Sequence, residues 1–460
     1  MLLSWCFLIF FICIFALATT DNNCRIYIII NFTGIILYII LQGLIMIHEK
    51  ANPNVYHQTI FFVFFPMYYL FVVYNFLFHK GKTLLGGYVY FPEKHYVYFS
   101  FVFNMALIMF MIGCDSLKYR KTKILKDINL TNNGFLITGF ILLIFFSINI
   151  KMMNVTFWEF IGDRMIRNYE SKVSLGGLST TGIFALFSYY LFRNYLSLKS
   201  NQRKIYWIAY ILWVSVNLLR GERRLFLIFF VLNLIIYNIR INKISKRKLI
   251  LSILPLYIIL IFLGFYRHYN HLPLQQSYEY ISQEISLDKF ILSGNDELNF
   301  PTQSFFYIYA YEKNKLRLGK TYVNAFLINI PRIITKQKPI RPANEYMKNY
   351  HYYSFIKGRG YAYSPVTEAF QNFGIWGIPI VFFTLGVLFS TLRRYTSTNP
   401  TLFFVYLFLC VELINFIRID FAIVISETLY FLIPIFLTNG IHLLLSRKQD
   451  PKNYLRGYGE

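Results

Sequence analysis

Long apolar runs separated by short polar segments repeat along almost the whole chain. The first, LLSWCFLIFFICIFALATT, carries no charge at all. A helix needs about 20 apolar residues to cross the hydrocarbon core of a bilayer. Runs at or near that length predict twelve membrane spans, over 2–20, 26–47, 59–78, 96–114, 134–152, 173–192, 205–219, 224–239, 249–266, 375–392, 400–417 and 421–445. Ala16 and Ala18 give the first run the small-x-small end of a secretory signal, but no basic segment precedes it, so it reads as a retained helix. No repeat, low-complexity tract or soluble linker intervenes. Residues 1–460 therefore read as one all-α polytopic membrane domain, with a single large insertion at 267–374.

Composition agrees with that pattern. Hydrophobic residues make up 56% of the chain and charged residues only 15%, too apolar a balance for a soluble protein of this length. The net charge of +24 raises the question of nucleic acid, but no soluble domain is present to carry such a surface. The basic residues collect instead in alternate connections. Lys118, Arg120, Lys121, Lys123 and Lys126 lie in one, RNYLSLKSNQRK in the next such segment, and Arg240, Lys243, Lys246, Arg247 and Lys248 in a third. Arg393, Arg394, Arg447 and Lys448 complete the set. Positive residues favour the cytoplasmic side, so these connections and both termini are expected inside. Residues 153–172, the turn 220–223 and the loop 267–374 are then outside. The five cysteines show neither metal-ligand spacing nor a disulfide framework, and no metal or cofactor is expected.

One outer turn runs against the bias. LRGERRLF places Arg220, Arg223, Arg224 and Glu222 between two spans of only about 15 residues, so the turn is expected to sit within the outer leaflet. Its arginines can snorkel to headgroups, one can pair with Glu222, or the unmatched positive charge can await an anion. Within the same setting, EFIGDRMIRNYESK offers Arg164 and Arg167, while Glu412, Arg418, Asp420 and Glu427 fall near the outer ends of the last spans. Those carboxylates are read chiefly as partners for buried arginines.

The large loop divides by charge, net −3 over 267–311 and net +8 over 312–374. Its aromatic stretches, SFFYIYAYE, YHYYSF and GYAYSP, argue for a folded segment rather than a disordered one. Ile281, Ile285 and Phe290 approximate one helical face, and Pro301 and Pro342 are candidates to open short helices. In NIPRIITKQKPIRPANEYM, Arg332, Lys336, Lys338 and Arg341 are spaced by backbone-stiffening prolines. That arrangement suits phosphate or an acidic sugar, or attachment to lipid headgroups. In GRGYAYSPVTEAFQNFGIWG, Gly358 and Gly360 flank Arg359, and Ser364-Pro365 reads as a helix start. Glu368 follows one turn later, either a general base or a structural partner for Arg359. His268, His271 and His351 can also serve as base, and spacing singles out none of them.

These segments resemble the bacterial O-antigen and capsule repeat-unit polymerases of the Wzy family. INIPRIITKQKP is similar to a recurring segment of that family, and YAYSPVTEAFQNFGIWG to another that enters the following helix. The Arg-x10-Gly pattern that some members carry in two outer loops is in neither loop here, Arg164 and Gly176 missing it by one residue. The resemblance implies a GT-C-like architecture of about twelve spans in the bacterial inner or plasma membrane, with the large loop extracytoplasmic. It implies a glycosyltransferase that moves a growing glycan from undecaprenyl pyrophosphate to the terminal hydroxyl of a lipid-linked repeat unit. Arg220 and Arg223, with Arg164, Arg267, Arg332, Lys338, Arg341 and Arg359, would hold pyrophosphate or substrate. Glu368, then His268, would accept the proton. Expected partners are the undecaprenyl-pyrophosphate-linked oligosaccharides, membrane lipids, a chain-length regulator and a flippase, with no nucleic acid. A flippase shows similar halves and short loops, which this chain lacks. An O-antigen ligase shares the architecture, and a receptor leaves the outer arginines without a purpose.

Overall fold

The computed structural model describes residues 1–20, 23–48, 56–79, 92–117, 132–152, 175–219, 223–243, 301–330, 337–356, 362–396 and 399–449. Regular structure among the described residues is helical throughout. The expected span 249–266 lies outside them, and each of the other eleven falls on a helix. In order these are α1 (Leu2–Thr20), α2 (Cys24–His48), α3 (Tyr56–His79), α4 (Glu93–Asp115), α5 (Asn132–Met152), α6 (Leu175–Arg193), α7 (Ser200–Leu219) and α8 (Arg223–Arg240). Loop helices follow: α9 (301–311), α10 (Lys320–Leu327), α11 (Pro342–Tyr350), α12 (Tyr352–Ile356) and α13 (Pro365–Phe373). The chain then returns through α14 (Gly377–Tyr395), α15 (Pro400–Phe416) and α16 (Phe421–Gln449).

Five described segments are long and apolar enough to cross a membrane: Leu2–Thr19, Cys24–Ile45, Glu93–Asp115, Pro365–Tyr395 and Phe421–Leu445. Asn132–Ile148 and Pro400–Phe416 are shorter apolar helices. Helix is the form such sequences must take in lipid, because it satisfies every backbone polar group within the segment. Large apolar side chains lie open on these helices, among them Leu2, Ile9, Phe140, Ile211 and Phe436. In water such faces would be a liability, whereas lipid is their ordinary solvent.

The chain forms two compact units, Met1–Leu125 with Ser286–Ile425, and Lys126–Ile285 with Ser426–Glu460. In the first, α4 is enclosed on nearly all sides from Val97 to Cys114 and crosses α14 at very close range. Gly113 and Gly386 make that approach possible. A methyl group on Gly386 would run into the Phe110 carbonyl and stand 2.8 Å from Cys114 N. Small residues at a crossing let backbones approach and gain dispersion contacts that lipid cannot replace. Aromatic rings fill the space beside it, with Phe61 against Phe110 at 3.9 Å between centroids and Phe65 against Phe103 at 4.1 Å. His57 Nδ1 and Tyr406 Oη share a hydrogen bond of 2.7 Å inside this packing. We expect Gly386→Ala to destabilise the unit by about 1–3 kcal/mol or more, since backbone atoms cannot move aside as a side chain would. Thermal unfolding in detergent checks this, and an unchanged midpoint would contradict it.

The second unit packs α5 to α8 and the α16 residues from Ser426 onward. Thr438 Oγ1 donates to Thr138 Oγ1 at 3.1 Å, Tyr189 Oη to Asn439 Oδ1 at 2.9 Å, and the Phe184 and Phe229 rings stack at 5.0 Å. Arg224, at the start of α8, forms an ion pair with Glu427 of α16.

Candidate functional site

Helix α13 carries the site, and local sequence chemistry starts it. Ser364 is extended and accepts a hydrogen bond from Thr367 N at 3.0 Å, while Pro365 supplies the fixed φ of the first helical turn. The expected start at Ser364-Pro365 is therefore the observed one. The helix stops at Gly374, whose positive φ of 65° is one that glycine adopts without a Cβ clash. Before that stop, Arg317 N and Leu318 N donate to the carbonyls of Gln371 and Asn372 at 3.0 and 2.9 Å. The loop before α10 thus satisfies carbonyls that the end of α13 leaves open.

Glu368 has no exposed surface, and both of its carboxylate oxygens are engaged. Thr321 Oγ1 donates to Oε1 at 2.7 Å, and Phe421 N donates to Oε2 at 2.8 Å. Asn372 Nδ2 in turn donates to Thr321 Oγ1 at 2.6 Å and to the Glu368 carbonyl at 2.8 Å. One side chain therefore ties α13 to α10 and to the first residue of α16. Asp420 is equally buried and accepts from Ala343 N at 3.2 Å and Ile423 N at 3.0 Å. It stands at the N-terminal ends of both α11 and α16, where open backbone donors and helix dipoles favour a carboxylate. Pro342 opens α11, as its position in the sequence suggested.

A second polar network lies one turn further along α13. Gln371 Nε2 donates to Glu312 Oε2 at 2.8 Å, and Tyr350 Oη donates to Glu312 Oε1 at 2.9 Å. Tyr363 Oη donates to Gln371 Oε1 at 2.6 Å. Arg317 grips Glu345 with two hydrogen bonds, of 2.5 and 3.0 Å, and lies 3.5 Å from Glu312. Such two-pronged pairs are geometrically strict as well as strong. Burial, together with the hydrogen bond to Glu312, pushes the Tyr350 hydroxyl above its ordinary pKa. Burial lowers that of His351, whose Nε2 is 3.0 Å from Tyr346 Oη. Glu312 and Glu345 entered the sequence reading only as acids in the charge balance of 312–374, and Arg317, Thr321 and Gln371 were not singled out. Asp420 entered it only as a span-end carboxylate, although an aspartate immediately before an apolar run is a capping signal.

The cations expected to hold an anion fare differently. Lys338 Nζ donates to the Ile328 carbonyl at 2.7 Å, and Arg341 donates to Asn344 Oδ1 at 3.3 Å. Both belong to the same unit as Glu368. Arg223 is the first residue of α8. Arg164, Arg220, Glu222, Arg267, His268, Arg332 and Arg359 lie outside the described residues, as does the 277–292 helical face. The expectation that a carboxylate of the last spans partners an arginine is met by Glu427 and Arg224.

A sequence model of one family, O-antigen polysaccharide polymerase Wzy, matches residues 1–448, nearly the whole chain. The chain belongs to the Wzy family. No curated protein and no solved structure matches it. Wzy proteins polymerise O-antigen repeat units, which makes the family a polysaccharide-building one. Together with the five apolar segments, membership identifies an integral membrane protein. Both motif segments that carried the resemblance, around 328–339 and 361–377, lie within the matched region.

Proposed function

We propose that this Wzy-family protein transfers a growing glycan from undecaprenyl pyrophosphate to the terminal sugar hydroxyl of a lipid-linked O-antigen or capsule repeat unit, at the outer face of the inner or plasma membrane. The observation that carries the reading is the family match over residues 1–448. In this proposal the chain crosses the membrane about twelve times, with both termini cytoplasmic, residues 267–374 outside and a GT-C-like arrangement overall.

The chemistry follows from the substrates. The acceptor oxygen attacks the anomeric carbon of the donor glycan, the bond from that carbon to the pyrophosphate oxygen breaks, and lipid pyrophosphate leaves with the bonding electrons. Negative charge grows on the leaving group, so fixed cations aimed at it lower the barrier. Arg220 and Arg223 are proposed for that role, aided by Arg164, Arg267, Arg332, Lys338, Arg341 and Arg359. The acceptor proton passes to a base, Glu368 first and His268 second. Both oxygens of Glu368 are held and no surface is open, so acting as the base requires it to give up one of these hydrogen bonds when the acceptor binds.

Deletion of the gene, followed by a gel of surface polysaccharide, tests the reading. The expected result is single repeat units in place of a length ladder. Loss of all units would instead indicate a flippase, and free lipid-linked polymer a ligase.

A further inference from the structure

An aromatic cluster stands on the loop helices, attached to the network around Gln371. Tyr307 and Tyr311 lie one turn apart on α9, and Tyr350 ends α11. Their rings are 5.0 to 6.1 Å apart and within 28° to 37° of parallel. Burial is graded across the cluster. Tyr346 at its base is 2% exposed, whereas Tyr311 is 64% exposed even though two rings back it. Tyr352 and Tyr353, at the start of α12, are similarly open. Core packing accounts for the covered rings but not for Tyr311, Tyr352 and Tyr353, which are open.

Fixed charges border the stack. Glu312 accepts from Tyr350 Oη and from Gln371, and the Arg317–Glu345 pair stands beside it, each partner partly exposed. An open aromatic face with an edge of oriented carboxylate and guanidinium matches the two surfaces of a pyranose. Its C–H face packs on a ring, and its hydroxyl rim bonds to the charged edge. A tyrosine that only anchors the protein at a bilayer interface keeps its hydroxyl for water and headgroups. Tyr350 commits its hydroxyl to a buried-side carboxylate instead.

We propose that Tyr311, backed by Tyr307 and Tyr350 and edged by Glu312, Arg317 and Glu345, is a saccharide platform that holds a sugar of the acceptor repeat unit. The proposal rests on the polymerase reading for the identity of its ligand. Gln371 joins Glu312 of the platform to the helix that carries Glu368, so the platform and the proposed base are parts of one braced unit.

The test uses the full-length protein in nanodiscs and the repeat-unit oligosaccharide freed from its lipid by mild acid. Binding is followed by saturation-transfer NMR, and chain extension with the intact lipid-linked unit. Tyr311→Ala is expected to weaken oligosaccharide binding about fivefold to tenfold and to raise the acceptor KM similarly, with kcat little changed. Tyr311→Phe and Tyr311→Trp, which keep a ring, should bind as the wild type does. Unchanged binding in Tyr311→Ala overturns the platform. So does a variant whose only defect is a lower unfolding midpoint in nanodiscs than in micelles, which marks a membrane anchor. A wild-type protein that binds the oligosaccharide but extends no chain keeps the platform and refutes the polymerase reading. One that extends chains but binds no free oligosaccharide does the reverse.

Discussion

Cells whose only copy of the protein carries Glu368→Gln are expected to make surface polysaccharide of single repeat units, with chain extension reduced at least about a hundredfold. The lipid-linked donor should still bind. The amide removes the proton-accepting oxygen, and it also presents an N–H group where Thr321 or Phe421 now donates. Facing Phe421 N, that group sets one buried donor against another at a cost of about 1–3 kcal/mol, whereas facing Thr321 it meets a hydroxyl that can also accept, and the cost is smaller. The two consequences separate in measurement. If Glu368 is only an anchor, extension per folded molecule recovers when the variant is stabilised or assayed cold. If it is the base, extension stays low in molecules that remain folded. Wild-type extension in Glu368→Gln would remove the residue from the chemistry.

The arginine turn gives the second large effect, and at its end the structure describes an ion pair between Arg224 and Glu427. Arg224→Ala is expected to lower the yield of folded protein, because it strands the Glu427 carboxylate, which is 6% exposed. Breaking a fully buried ion pair from one side costs about 3–5 kcal/mol, and the cost is smaller here because the Arg224 side chain is 30% exposed. Arg224→Ala combined with Glu427→Gln should recover much of that loss, which protease resistance of membrane-inserted protein would show. Arg220→Ala and Arg223→Ala should behave differently, inserting normally yet making no polymer, as expected of side chains reserved for a pyrophosphate. A normal ladder from both variants would end that assignment. Equal folding defects in all three would assign the whole turn to structure.

Much of the fold was legible in the chain alone. A bilayer leaves a backbone few options, so run length and apolarity were enough to place eleven helices to within a few residues at most ends. Local punctuation was legible for the same kind of reason. Ser364-Pro365 and Pro342 act through their own φ angles and their nearest neighbours, and each does in the structure what its residue type predicts. The site was legible only as a list of charges. Glu368 was singled out, but its partners Thr321 and Phe421 were not, because nothing in the spacing of residues 321, 368 and 421 marks them as neighbours. The same holds for Glu312, which is defined by Gln371 and Tyr350.

The sequence by itself thus determined the helical class, the membrane setting, the family resemblance and the residue types available for chemistry. Each of these depends on composition, periodicity or a few consecutive residues. Only the tertiary structure decided which charges are already committed. It paired Arg224 with Glu427, Arg317 with Glu345, and set Asp420 over two helix ends. It also turned scattered tyrosines into a stack with one ring open. The physical reason is that a buried charge must find its partner wherever packing brings one, and packing joins residues that the chain keeps far apart.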